Sequence, residues 1–155
     1  MMGWRVGYLA APPRLQGALR KVQDTIPICP APYAQAAALG ALEAGRSWVE
    51  ERVSGLAANK RVVADALAVV AGPEAVRGGS GAIYLMGPLP EAAAGDDLDA
   101  VVRLSKDHGV QVIPGSACGA PGMIRACYAN LDERGTVEAA AKLKRGLVAL
   151  ASGAA

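Results

Sequence analysis

Apolar residues along the second half of the chain return every three to four positions. Val137, Ala140, Leu143, Leu147 and Leu150 share one face and predict a closing helix that begins at Asp132 or Thr136. Trp48, Val49, Val53, Leu56, Val63, Leu67 and Val70 keep one stripe from Ser47 to the Gly72-Pro73 stop, which predicts a single long helix. Ser47 and Glu50 stand at capping-box spacing at its start. Upstream, Pro13 opens a helix to about Asp24 carrying Leu15, Leu19 and Val22, and Gln35 to Ala44 reads as a short Ala-rich helix stopped by Gly45. Between them lies IPICPAPY, whose three prolines in eight residues demand an irregular connector.

Strand patterns occupy the rest. The opening GWRVGYLAA (residues 3–11) reads as a mostly buried strand ended by Pro12-Pro13. Further strands are predicted at 75–77, 82–89, 110–113 and 123–129. A helix capped by Asp97 and carrying Leu98, Val101, Val102 and Leu104 runs to Asp107, and the small-residue stretch SACGAPG (116–122) is a loop. The predicted order is β-α-loop-α-long α-β-β-α-β-β-α, an α/β chain with an α+β second half.

Composition narrows the function classes. At 155 residues the chain makes one domain's worth of core, and 52% hydrophobic against 19% charged residues is a globular balance. A net charge of +2, spread without a basic stripe, argues against nucleic acid or an anionic membrane as partner. No apolar run reaches the length of a membrane span, and no secretory signal pattern is seen. Cys29, Cys118 and Cys127 form no C-x-x-C pair, and His108 is the only histidine. No metal site is expected, and a reducing, cytoplasmic setting is.

Candidate chemistry rests on two arginines inside otherwise apolar strands, Arg5 in GWRVGY and Arg125 in MIRACYA. A guanidinium in such a place calls for a partner, since an uncompensated buried charge is costly. The partner can be an internal Asp or Glu, or an anionic ligand group held in the planar fork. The residues alone leave both open. His108 reads as a helix C-terminal residue, Tyr84 and Tyr128 as core strand residues, and GGSG as a flexible entry to a strand. Cys118 lies in a Gly-Pro loop with no base in sequence range.

Taken together, MMGWRVGYLAAP, DTIPICPAPYAQ followed by ALEAG, GGSGAIYLMGPLP and HGVQVIPGSACGAPGMIRACYANL resemble the C-terminal part of a class I/II, fold-type-I aminotransferase dependent on pyridoxal 5'-phosphate. The QDTIPIC and IPGSACGAPG stretches look most like plant-type enzymes acting on aromatic amino acids and methionine. The resemblance implies an incomplete large domain in residues 1–45, a connecting helix at 46–72 and a small domain at 73–155. It implies that Arg5 binds the cofactor phosphate, that Arg125 clamps the substrate α-carboxylate, and that the intact family member is a homodimer taking amino acid and 2-oxo acid substrates. The family's cofactor lysine stands a short way ahead of the G-W-R-V-G arginine. None of Lys21, Lys60, Lys106, Lys142 and Lys144 matches it, so this chain is expected to be inactive alone. Two other readings accompany this one: a non-catalytic fragment docking on a full-length homologue, and a fold-type-I C–S lyase.

Overall fold

The computed structural model describes residues 2–153. The chain divides into two compact units, Met1–Glu51 and Arg52–Ala155.

In the first unit, Met2–Trp4 form one 3-10 turn, and residues 5–12 have no regular structure. The predicted strand over 3–11 is absent, because a strand is defined by a partner's backbone groups and no described residue pairs with this stretch. Arg5 is exposed, with a left-handed φ of 54° that interrupts an extended path. α1 spans Pro13–Thr25, with Pro13 at its first turn as predicted. α2 spans Pro32–Ser54 and kinks at Gly45, whose φ of 78° places it where a side chain is disfavoured. Ala34 is the one buried residue among residues 3–51, while Tyr8, Leu9, Ile26, Ile28 and Tyr33 are each at least 70% exposed.

In the second unit, α3 (Leu56–Leu67) is separate from α2, so the single helix predicted from Ser47 to Gly72 is two pieces, broken at Gly55. The apolar stripe runs on through the break, which is why periodicity alone could not see it. β1 (Tyr84–Pro88), β2 (Ile113–Pro114) and β3 (Met123–Cys127) make an antiparallel sheet in the order β1-β3-β2. Residues 73–75 form a 3-10 turn instead of the strand predicted at 75–77, and only Arg77 bridges to Met86. Between β1 and β2 come α4 (Glu91–Ala94), which the sequence pattern did not predict, and α5 (Asp97–His108). α6 (Glu133–Ala151) closes the chain, with the Asp132 carboxylate accepting from Gly135 N–H at 2.7 Å.

α5 shows how local chemistry sets the boundaries. Asp96, one residue earlier than predicted, is the cap and accepts from Asp99 N–H at 2.9 Å. Gly109, at φ 63°, turns left-handed and gives its N–H to the last carbonyls, and His108 is the final helical residue as predicted. Ala100 and Leu104 are the α5 residues that enter the core; Leu98, expected on the inner face, is exposed.

The core lies between one face of the sheet and α3, α5 and α6. Leu67, Leu104, Ile124 and Leu147 are its largest fully buried side chains, each contributing about 1.5–3 kcal/mol by leaving water. α6 presents Thr136, Ala140, Leu143, Leu147 and Leu150 inward, at the predicted spacing except that Val137 faces solvent. Buried Asn59 of α3 donates to the carbonyls of Tyr128 and Leu131, both at 3.2 Å, and ties the end of β3 to the helix layer. Among the described residues, no helix is long and apolar enough to cross a membrane.

Candidate functional site

Alternation along β3 decides which side chains meet the core. Ile124 and Ala126 point inward, so Met123, Arg125 and Cys127 stand on the opposite face. On β1, Leu85 and Gly87 are buried, and Tyr84 and Met86 share the outer face with Arg125. Tyr84 is thus not core, against the sequence expectation, whereas Tyr128 is buried and donates to Ala82 O at 2.7 Å. The GGSG stretch also differs from expectation: the residue with left-handed φ is Ala82, at 60°, not one of the three glycines.

Arg125 is half-buried, and its guanidinium carbon lies 4.5 Å from the centre of the Tyr84 ring. Stacking on an aromatic face suits a planar, weakly hydrated cation and leaves its N–H edge for an acceptor. Among the described residues, no carboxylate forms an ion pair with it. The internal salt bridge that the sequence left open is not formed. Arg125 borders a cleft of about 570 Å³ together with Tyr84, Val101, Val102, Gln111 and Ile113, and is its sole charged lining residue. A neighbouring hollow of about 460 Å³ has no charged lining at all. A single cation, an aromatic platform and an apolar floor make a site for a monoanion with an apolar body.

The connection from β2 to β3 positions that arginine. Asp97, only 6% exposed, receives Ser116 N–H at 2.8 Å, the Ser116 hydroxyl at 2.7 Å and Gly122 N–H at 3.3 Å. One carboxylate therefore ties both ends of the turn, two residues after β2 and one before β3. Gly115 N-terminal to it is packed so closely that an added Cβ would lie 2.1 Å from Ala120 O and 2.6 Å from Met123 O. The sequence reading took Asp97 for the helix cap and missed this role. The signal was the doublet Asp96-Asp97, since one of two adjacent carboxylates is left over once the other caps the helix.

The Ser116 hydroxyl holds the Asp97 carboxyl below its ordinary value, helped by the two backbone N–H groups and opposed by burial. A depressed folded-state pKa adds stability that is complete above the unfolded value of about 3.9 and fades as the pH falls through the folded one. We expect Asp97→Asn to melt at a lower temperature than the parent chain at pH 7, with the gap narrowing below about pH 4. Thermal unfolding by circular dichroism at pH 7 and pH 3 checks this, and a gap of constant size would contradict it.

Arg5 lies in the first compact unit, exposed, and Arg125 in the second, half-buried. The five lysines all sit on helices: Lys21 on α1, Lys60 on α3, Lys106 on α5, and Lys142 and Lys144 on α6. None lines the Arg125 cleft. Lys60 donates to Gly79 O at 2.8 Å. Of the cysteines, Cys29 and Cys118 are exposed, and Cys127 donates to Asn130 Oδ1 at 3.2 Å.

The helix-rich α/β architecture is that of the C-terminal portion of a fold-type-I transferase. The chain belongs to the family Aminotransferase class I and II, whose profile matches residues 1–143. That family is pyridoxal-phosphate-dependent. Aromatic aminotransferase ISS1 of Arabidopsis thaliana is 47% identical over 150 residues, covering 95% of this chain and 38% of the plant protein. Among solved structures, an aromatic aminotransferase from Pyrococcus horikoshii OT3 superposes with a TM-score of 0.75 at 30% identity, over 96% of this chain and 40% of that one. An aspartate aminotransferase from Thermotoga maritima gives 0.73 at 31% identity, over 96% and 37%. The chain thus spans about two fifths of the length of the relatives it matches.

Proposed function

We propose that this chain serves an aminotransferase that moves the amino group of an aromatic amino acid or methionine to a 2-oxo acid, and that Arg125 binds the substrate α-carboxylate. The observation that carries the reading is the half-buried Arg125, stacked on Tyr84 with no carboxylate partner among the described residues, in a chain of this family. In that reading residues 1–45 belong to a cofactor-binding large domain, 46–72 to a connecting helix and 73–155 to the small domain. Arg5 is the residue for the cofactor phosphate, on the strength of its G-W-R-V-G motif. The intact enzyme would be a homodimer.

The described residues do not by themselves fit pyridoxal phosphate. Arg5 is exposed, and no lysine borders the Arg125 cleft. What the chain's own residues do is bind and orient: Arg125 fixes a carboxylate, Tyr84 fixes the guanidinium plane, and Asp97 holds the turn that leads into β3. Arg125→Gln should weaken binding of 3-phenylpropanoate to the chain about tenfold or more, the worth of one charge-assisted hydrogen-bond pair. Titration calorimetry reads this, and equal affinity in both proteins would overturn the assignment.

A second reading draws on the first unit, whose described residues bury only Ala34 and leave Tyr8, Leu9, Ile26, Ile28 and Tyr33 exposed. So much apolar surface fits a segment that completes itself against another polypeptide, whether the rest of an enzyme or a full-length homologue.

A further inference from the structure

The cleft that Arg125 borders continues beyond the reach of β2. That strand pairs with β3 at Ile113 opposite Arg125 and at Pro114 opposite Ile124, and the ladder goes no further. Residues 110–112 therefore part from β3 just where it runs on through Ala126 and Cys127. The hollow of about 460 Å³ lies in this parting, with Thr136, Ala139, Ala140 and Leu143 of α6 as one wall. Protein interiors are close-packed, so an unfilled space of this size beside the core is unusual.

Hollow and cleft share Ser105, Gln111, Val112, Cys127 and Asn130, so they form one continuous trough. Its floor in the hollow is Val63, Val112, Ala126, Ala140 and Leu143, each at most 9% exposed. Arg125 lines only the cleft and is the single charged side chain in either lining. Charge and length together define what such a trough takes. One guanidinium calls for one anionic group. A second ionised group in the uncharged hollow would lose water and gain no partner, so the far end of the ligand is neutral. Cys127 lies two residues along the strand from Arg125, about 7 Å. With single bonds of about 1.5 Å, a four-carbon acid ends short of that step and an eight-carbon acid crosses it.

We propose that the hollow is a tail subsite and that the trough binds a medium-chain aliphatic monocarboxylate. The carboxylate sits on Arg125, and the alkyl chain runs past Cys127 onto the floor made by Val63, Ala140 and Leu143. The inference rests on Arg125 being a carboxylate binder, as argued above, and adds a ligand body longer than an amino-acid side chain. The trough is open to water along one side, with Gln111 and Asn130 exposed, so each methylene of the tail gains only part of its full burial.

The test is calorimetric titration of the purified chain with butyrate, octanoate and octanedioate, repeated for Arg125→Gln, Ala139→Leu, Leu131→Ala and Val148→Ala. Ala139 and Leu131 line the hollow and not the cleft, so the first substitution fills it and the second removes part of its wall. Val148, on α6 in a separate groove, controls for general loss of apolar surface. Octanoate should bind about tenfold tighter than butyrate and at least threefold tighter than octanedioate. The advantage over butyrate should be lost in Ala139→Leu, fall to about threefold in Leu131→Ala and persist in Val148→Ala, while Arg125→Gln weakens both monoacids. Leu131 is half-exposed, so Leu131→Ala decides the point even where Ala139→Leu does not fold. Equal affinity for butyrate and octanoate overturns the tail subsite and leaves the Arg125 reading intact. So does an advantage untouched by the hollow variants or lost equally in Val148→Ala, or octanedioate bound as tightly as octanoate. Butyrate binding indifferent to Arg125→Gln, or no saturable binding of either monoacid, overturns both.

Discussion

No oxo acid above the cofactor-only blank is expected when the purified chain is given pyridoxal phosphate, an aromatic amino acid and a 2-oxo acid acceptor. Covalent catalysis of this kind needs an amine nucleophile within hydrogen-bond reach of the reacting centre, with a pKa lowered by burial or a neighbouring cation. The five lysines sit on helices, and the cleft that holds Arg125 has none in its lining. Lys60 is engaged with Gly79 O and lies over the Tyr128 ring, and neither residue borders the cleft. Positioning by Arg125 can contribute to a rate only when the reacting groups are present to be positioned. With no amine in reach of the cleft, the anion site is expected to bind without reacting. The same sample treated with borohydride should keep its unmodified mass. Turnover above the blank, or cofactor fixed to a lysine, would show that one of these five side chains reaches the site after all.

Gly115→Ala should be the most damaging single methyl added to the second unit. A Cβ there would lie 2.1 Å from Ala120 O and 2.6 Å from Met123 O, and both are backbone atoms of the turn itself. A flexible side chain could swing aside, but the Ala120 backbone is tied at both polar atoms: its N–H donates to Gly115 O at 2.9 Å, and its O accepts from Met123 N–H at 3.3 Å. Overpacking without room to relax costs about 3 kcal/mol or more, a large part of the stability of a small domain. The strain falls on the segment entering β3, two residues before Arg125, so any chain that still folds should also bind 3-phenylpropanoate more weakly. Gly95→Ala is the control, because a Cβ there meets nothing within 4 Å. Urea unfolding of the two variants beside the parent decides the point, and similar midpoints would mean the turn opens more easily than its packing indicates.

The two arginines show how far residue patterns carry. A guanidinium set among Met123, Ile124 and Ala126 was conspicuous, and the structure puts Arg125 half-buried where a partner is wanted. For Arg5 the strand placement does not hold, and the side chain is exposed outside any strand. The difference is physical. β3 lies between β1 and β2, so its alternation is enforced from both sides. No strand ladder among the described residues pairs with the GWRVGY stretch, and an apolar run cannot become a strand by itself.

The sequence by itself determined what depends on neighbours within one turn. It placed the starts of α1 and α6, the end of α5 at His108, and the inward stripe of α6 from Ala140 to Leu150, while Gly45, read as a helix stop, kinks α2 without ending it. Caps, prolines and helical period act over three or four residues, and those can be read directly. Only the tertiary structure decided that α2 and α3 are separate and that Tyr84 faces outward as a platform for Arg125. It also assigned Asp97 to a turn nineteen residues away, at Ser116, in preference to its own helix. Those choices are made by which backbone groups and surfaces meet across long separations, and such meetings leave no period in the chain to be read.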